Sequence, residues 1–505
     1  MTDAFENKLD GFLNLLRKMN GYSEAIGLMH WDMRTGAPKK AMEGRSQAIG
    51  YLSAEMFRLS VSDEMGEYLE ELTKPENASQ LTTSQQKMVL ECKKDYDRDK
   101  KIPPDKYQAY TVLTSQAESV WEEAKDQADF SMFQPYLEQI VETNLEFVEL
   151  WGYEQNKYDT LLDMYEPGMT VEKLDQVFGV LRERVVPLVS AIASAAYQPE
   201  TGFLHQKFEK ERQRRFNHYI LEQIGYSFDA GRLDETVHPF AIGLNPGDVR
   251  ITTKFALDNL TTALFGTIHE GGHGLYEQNI SGDLMGTNLC TGTSMGIHES
   301  QSRFWENMVG RSEPFWQRYY GDLRKQFPGQ LDDVELDRFY RGINEVKPTL
   351  IRIEADEVTY NLHIMIRYEI EKALFNGSVK VSELPEYWND LYKDYLGVAP
   401  DNDGDGVLQD VHWSGGMFGY FPSYALGNMY SAQFRHTLMM QMPDFEEKIR
   451  RGELLPIKDW LSEQIYQYGK LLDPSEIVMK VTGEELNPDY LVRYLEEKYK
   501  NIYKL

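Results

Sequence analysis

The sequence predicts a mostly α-helical protein with one small β-sheet, on three observations. Apolar residues recur at helical spacing along most of the chain, one stretch around residue 245 breaks that pattern, and the gaps between helices are short. Taken in chain order, Pro103-Pro104 stand where a helix can begin, because the N–H that proline lacks would have no partner in a first turn. In YLEQIVETNLEFVELW (136–151), Leu137, Ile140, Val141, Leu145 and Val148 form one apolar stripe. VFGVLRERVVPLVSAIASAAY (177–197) and EADEVTYNLHIMIRYEIEKALF (354–375) read the same way. HPFAIGLNPGDVRITTKF (238–255) instead sets β-branched and aromatic residues on both sides of Asn245-Pro246-Gly247-Asp248, which predicts a turn between two short strands. The breaks KPENAS (74–79), EPGMT (166–170) and FNGSVKVSELP (375–385) are too short for flexible linkers, and no period repeats. Residues 1–505 are therefore expected to form one large unit.

Composition narrows the function. Hydrophobic residues make up 41% of 505, enough for a sizeable core. The 81 acidic residues against 53 basic ones give a net charge of −28, with no compensating basic run, so nucleic acid is not an expected partner. An anionic ligand would need a local cluster of arginine or lysine. Two cysteines, Cys92 and Cys290, suit a reducing compartment. The N-terminal stretch does not read as a secretory signal and no apolar run reaches membrane-spanning length, so a cytoplasmic protein without a membrane partner is expected.

The chemistry sits just after the predicted hairpin, in LFGTIHEGGHGLYEQNI (264–280). His269 and His273 are spaced i, i+4, so a helix puts both imidazoles on one face, and Glu270 follows the first. This H-E-x-x-H spacing lets two histidines hold a metal while the glutamate acts as general base. Gly271, Gly272 and Gly274 weaken the helix by roughly 1 kcal/mol each against alanine, which points to close approach of another element or a ligand. For the third ligand, Glu277 lies eight residues past His269, about 12 Å along the axis, and suits a supporting role better. Glu299, opening a new helix in MGIHESQSRFWENM (295–308), is the better candidate, with Glu306 as fallback and His298 packing or orienting beside it. A His2Glu site with an open position is hydrolytic: the metal lowers the pKa of its water to about 7, and Glu270 takes the proton and passes it to the leaving amine.

The chain also resembles the thermostable carboxypeptidase (carboxypeptidase Taq) family. The resemblance rests on HPF (238–240), DVRIT (248–252), HEGGH (269–273), HESQ (298–301), IRIEAD (351–356) and GVLQDVHW (406–413), with HWDMRTGAP (30–38) and YDTLLDMYEPGMT (158–170) nearer the N-terminus. It implies a mostly helical, two-lobed fold with a deep groove, similar to neurolysin and angiotensin-converting enzyme. It implies a metal-dependent carboxypeptidase of broad specificity that releases single residues from peptides with a free C-terminus. It also implies one zinc per chain, with cobalt possible, and a cytoplasmic homodimer. By motif, His269, His273 and Glu299 would be ligands and Glu270 the base. Arg250 and Arg352 would clamp the substrate carboxylate, for which the planar guanidinium is suited. His238 would contact substrate backbone, Gln409 and Asp410 would bound the closed end of the groove along the stretch that holds His412, and Tyr420 or Tyr424 would place a hydroxyl at the oxyanion.

Two rival readings remain at this point. One is an oligopeptidase or dipeptidyl carboxypeptidase on the same fold. The other is a calcium-binding scaffold built on DNDGDGVLQDVH (401–412), where Asp401, Asp403 and Asp405 match the first half of an EF-hand loop. Pro400 disfavours an entering helix, and His412 replaces the bidentate glutamate at position 12, so a solvated turn is expected there.

Overall fold

The computed structural model describes residues 3–505 as a mostly helical protein with a three-stranded sheet. Several of the expected helices begin as their sequences dictate. Pro104 occupies the first turn of Pro104–Gln127, and the helix Val171–Ala193 is capped by the Thr170 hydroxyl, which accepts from the Lys173 N–H. Phe130–Trp151 buries Leu137, Ile140, Val141 and Val148 of the stripe visible in the sequence and half-buries its fifth member, Leu145. One contiguous buried cluster of apolar side chains runs from Phe5 to Tyr503. Among the described residues, no helix is long and apolar enough to cross a membrane.

The sheet has the order β1-β3-β2, with β1 Gly231–Glu235, β2 Ala241–Asn245 and β3 Asp248–Thr253. The expected hairpin is β2–β3, antiparallel across Pro246-Gly247, with the Asn245 side-chain oxygen accepting the Gly247 N–H at 2.9 Å. β1 adds a parallel edge that pairs Leu233 with Ile251. The central strand β3 buries Val249 and Ile251 completely. Its Thr253 hydroxyl accepts from Thr267 at 2.9 Å, and Thr267 in turn accepts from Asn217 at 2.8 Å. These bonds staple the sheet to the helix Leu260–Gln278, which carries the H-E-x-x-H motif.

That motif helix starts at Asn259, whose side chain accepts the Thr261 N–H. It buries Leu264, Phe265, Ile268, Leu275 and Tyr276 to 2% exposure or less. At roughly 1.5–3 kcal/mol per large apolar side chain removed from water, this fixes the helix against its neighbours far more firmly than its glycines loosen it. The helix Met295–Arg303 packs across it and runs on into a buried π-helical segment, Phe304–Gly310. The two helices meet at Gly272, where a Cβ would lie 2.6 Å from the Gln301 carbonyl oxygen and the Ser302 Cα. On the other side, the helix Pro422–Gln441 meets Glu299 at Gly427, where a Cβ would lie 2.6 Å from the Glu299 Cγ.

The acidic stretch at 401–405 is a structural turn. The Asp403 carboxylate accepts the first N–H of Phe130–Trp151, and Asn402 and Asp405 bond each other. The aspartates do not converge on a common point: among the described residues, the three-donor cluster able to hold a metal lies elsewhere, at His269, His273 and Glu299.

Candidate active site

His269 and His273 project from one face of the motif helix toward Glu299 on the crossing helix. One ligand atom from each lies within 4.8 Å of the other two. The Glu299 Oε2 is 3.6 Å from His269 Nε2 and 3.3 Å from His273 Nε2. The opposite ring nitrogens are held. His269 Nδ1 is 2.9 Å from Glu306 Oε2, so in the neutral ring Nδ1 carries the hydrogen and Nε2 keeps the lone pair. His273 Nδ1 is 2.6 Å from His298 Nδ1.

Burial keeps His273 neutral, its pKa pushed down to about 3. On His269 burial also opposes the charge, but Glu299 and Glu306 outweigh it and raise the pKa. Glu299 is buried, yet Arg303 and His269 hold its carboxyl well below the usual range. Arg303 donates from Nε to Glu299 Oε1 at 2.7 Å, which leaves Oε2 facing the histidines. Glu270 is itself buried, and loss of solvent pushes its carboxyl up to about 7.

A second cluster contains most of the remaining expected residues. Arg352 donates from Nε to Asp410 Oδ1 at 2.9 Å and from an NH group to the Tyr360 hydroxyl at 3.1 Å. Arg367 donates to the other Asp410 oxygen at 2.6 Å. Both arginines keep Asp410 ionised, far below the ordinary carboxylate range despite its burial. The Gln409 side-chain oxygen accepts the Arg352 backbone N–H at 3.0 Å and an Arg367 NH at 2.7 Å. The Arg352 guanidinium lies 5.0 Å from the Tyr424 ring centre. Tyr424 OH and His412 Nε2 are 3.3 Å apart, and the Tyr420 and Tyr424 rings pack edge to face. Burial keeps both tyrosines protonated, with Tyr420 pushed up to about 12, and holds His412 neutral with a pKa near 4.

Arg250 and His238 are placed differently. Arg250 lies on β3 with two nitrogens on the Asp248 carboxylate, each at 2.7 Å. It lines a cavity of about 800 Å³ with Trp31, Asp32, Arg45 and Arg232. It shares no partner with Arg352. His238 is exposed on the loop between β1 and β2. Glu306, the fallback ligand, turns its carboxylate to the far nitrogen of His269. Sequence reading passed over Arg303, Tyr360 and Arg367. Arg303 had a signal, the i, i+4 spacing from Glu299; Tyr360 and Arg367 reach the site only through tertiary packing.

Comparison with known proteins settles the lineage. A family model described as Carboxypeptidase Taq (M32) metallopeptidase matches residues 11–499. The chain belongs to the carboxypeptidase Taq family. It is 52% identical to Carboxypeptidase 1 of Bacillus subtilis (strain 168), covering 98% of each chain. It is 40% identical to Thermostable carboxypeptidase 1 of Thermus thermophilus, covering 99% of each. It is similar, with a TM-score of 0.96 and 35% identity, to the solved structure of the M32 carboxypeptidase from Deinococcus radiodurans R1, covering 99% of this chain and 100% of that one. As a member of the carboxypeptidase Taq family, the protein is a metal-dependent carboxypeptidase.

Proposed function

We propose that the protein releases single C-terminal amino acids from peptides, with broad side-chain tolerance, using zinc held by His269, His273 and Glu299 and Glu270 as general base. The observation that carries this reading is the convergence of the three donor atoms within 4.8 Å, with Glu270 buried beside them. Two imidazole lone pairs and one carboxylate oxygen fit a zinc site that keeps a position open. When bound, the ion supplies Lewis acidity, polarising the scissile carbonyl and strengthening water as an acid. Glu270, with its carboxyl raised to about 7, takes the proton of the attacking water and returns it to the leaving amine. The Tyr420 and Tyr424 hydroxyls and the neutral His412 are the donors available to the developing oxyanion.

Exopeptidase action needs a positive charge for the terminal carboxylate. In the second cluster Arg352 and Arg367 share the one carboxylate of Asp410, which leaves a surplus positive charge inside a chain of net charge −28. We assign the clamp to Arg352, with Gln409 and Asp410 holding it in place. Arg250 would have to exchange Asp248 for substrate, and exposed His238 is free to meet peptide backbone. Residues 1–505 act as one catalytic unit in this reading, since one buried cluster spans the chain. It also carries a homodimer and a cytoplasmic setting, the latter supported by Cys92 and Cys290 both being free thiols.

The test is metal analysis together with amino-acid release from an N-blocked tripeptide, for wild type and Glu270→Gln. Single amino acids from wild type, with metal retained and release lost in the variant, support the assignment. Dipeptides or internal fragments would reassign the enzyme to the dipeptidyl or oligopeptidase class, and unchanged release by Glu270→Gln would refute the mechanism.

A further inference from the structure

The two histidine ligands are backed by different groups. His269 Nδ1 meets the Glu306 carboxylate directly, at 2.9 Å. His273 Nδ1 meets another imidazole, His298 Nδ1, at 2.6 Å, and the far nitrogen of that ring, Nε2, lies 2.8 Å from Glu277 Oε1. Two facing ring nitrogens can bond only if one carries a hydrogen and the other a lone pair. The ligand role of His273 decides which. Its Nε2 faces Glu299 and must keep its lone pair to bind a metal, so its hydrogen lies on Nδ1. His298 must then accept at Nδ1, which places its own hydrogen on Nε2, donated to the Glu277 carboxylate.

We propose that Glu277 and His298 form a relay that fixes the tautomer and ring orientation of His273, making both of them positioning residues for the metal. Glu277 is fixed in turn by the Gly292 N–H, which donates to the same Oε1 at 3.2 Å. Both side chains have little solvent contact, at 11% exposure for Glu277 and 22% for His298, so water is a poor substitute acceptor. The relay rests on the reading that His269, His273 and Glu299 hold a metal. Partners of this kind are typically worth 10- to 100-fold in metal affinity.

The test is zinc affinity by chelator competition, with the absorption spectrum of the cobalt-loaded protein as a reporter of ligand geometry. His298→Phe keeps a ring but removes the acceptor, and its zinc affinity should fall about 10- to 100-fold with a changed cobalt spectrum. His298→Asn sets its side-chain oxygen where Nδ1 stood and should recover affinity to within a few-fold of wild type. Should His298→Phe not fold, Glu277→Leu makes the same test from the other end of the relay and should weaken zinc several-fold. His298→Phe binding zinc as tightly as wild type, or His298→Asn binding no better than His298→Phe, overturns the relay alone. A wild-type chain that binds no zinc overturns the metal reading and the relay with it.

Discussion

Replacing Gly272 with alanine would test how closely the site depends on helix approach. A Cβ at Gly272 would lie 2.6 Å from the Gln301 carbonyl oxygen and from the Ser302 Cα, both backbone atoms of the crossing helix. Ordinary contact needs close to 1 Å more, and backbone cannot rotate away as a side-chain tip can. Gly266 lies on the same helix with nothing within 4 Å of an added Cβ. Alanine raises helix propensity by about 1 kcal/mol at either position, so that effect cancels when the two variants are compared. What remains is overpacking at Gly272, about 1–3 kcal/mol. Gly266→Ala should be slightly more stable than wild type and Gly272→Ala less stable than Gly266→Ala by that margin, read as denaturation midpoints of zinc-free protein under identical conditions. Because Gln301 and Ser302 follow Glu299 within one helical turn, pushing them away also displaces Glu299, the proposed third ligand, so Gly272→Ala should lose zinc affinity while Gly266→Ala keeps it. Equal midpoints and equal zinc affinity for the two variants would refute the argument that the motif glycines serve close approach.

Three further perturbations have signed outcomes. Arg303 neutralises the buried Glu299 and Glu306 carboxylates, so Arg303→Met should destabilise the zinc-free protein by about 3–5 kcal/mol, and added zinc should restore part of the loss because it brings positive charge to Glu299; melting with and without zinc reads this. Asp410→Asn leaves Arg352 and Arg367 without their carboxylate, which should lower stability by a similar amount and change KM more than kcat, measured by steady-state release from a blocked peptide. Glu166 accepts from the Tyr430 hydroxyl and the Gly296 N–H, and burial raises its carboxyl from 4.5 to about 7. A raised acid stabilises the fold below its unfolded value, and that stability is lost as pH rises toward its folded value. Between pH 4.5 and 7 the loss is about 3 kcal/mol. Glu166→Gln should remove this slope from the pH dependence of the unfolding midpoint, and an unchanged slope would count against it.

The legible parts of this molecule are those in which chemistry repeats at helical spacing. His269, Glu270 and His273 announce themselves within one turn, and Glu299 opens the next long helix, so two local patterns suffice to bring three donors together. The strand β1 was hidden because GRLDE holds a single apolar residue and pairs in parallel with β3 across seventeen intervening positions, a contact no local period encodes. Glu306 looked like a spare ligand because seven residues after Glu299 an α-helix returns to nearly the same face. The π-helical turn that begins at Phe304 breaks that period and turns Glu306 to the back of His269. The second cluster was legible only through family motifs, because its charges come from segments that meet by tertiary packing.

Between the two clusters lies a side chain that no motif contains. Tyr360 is buried at 5% exposure, with the Arg303 guanidinium 4.4 Å from its ring centre and its hydroxyl accepting from Arg352. Arg303 holds Glu299, the proposed third ligand, and Arg352 is the group assigned to the substrate carboxylate. In the proposed reading, the separation between the hydrolytic centre and the clamp is set by a rigid ring between two buried cations, each tied to its own carboxylate and attracted to the ring face or its oxygen. An enzyme that removes one residue at a time needs that separation constant, since a shift by one residue, about 3.5 Å of extended chain, would present the wrong peptide bond. In an acidic chain, buried arginines held by specific partners provide both the charge and the fixed distance, which loose surface lysines could not.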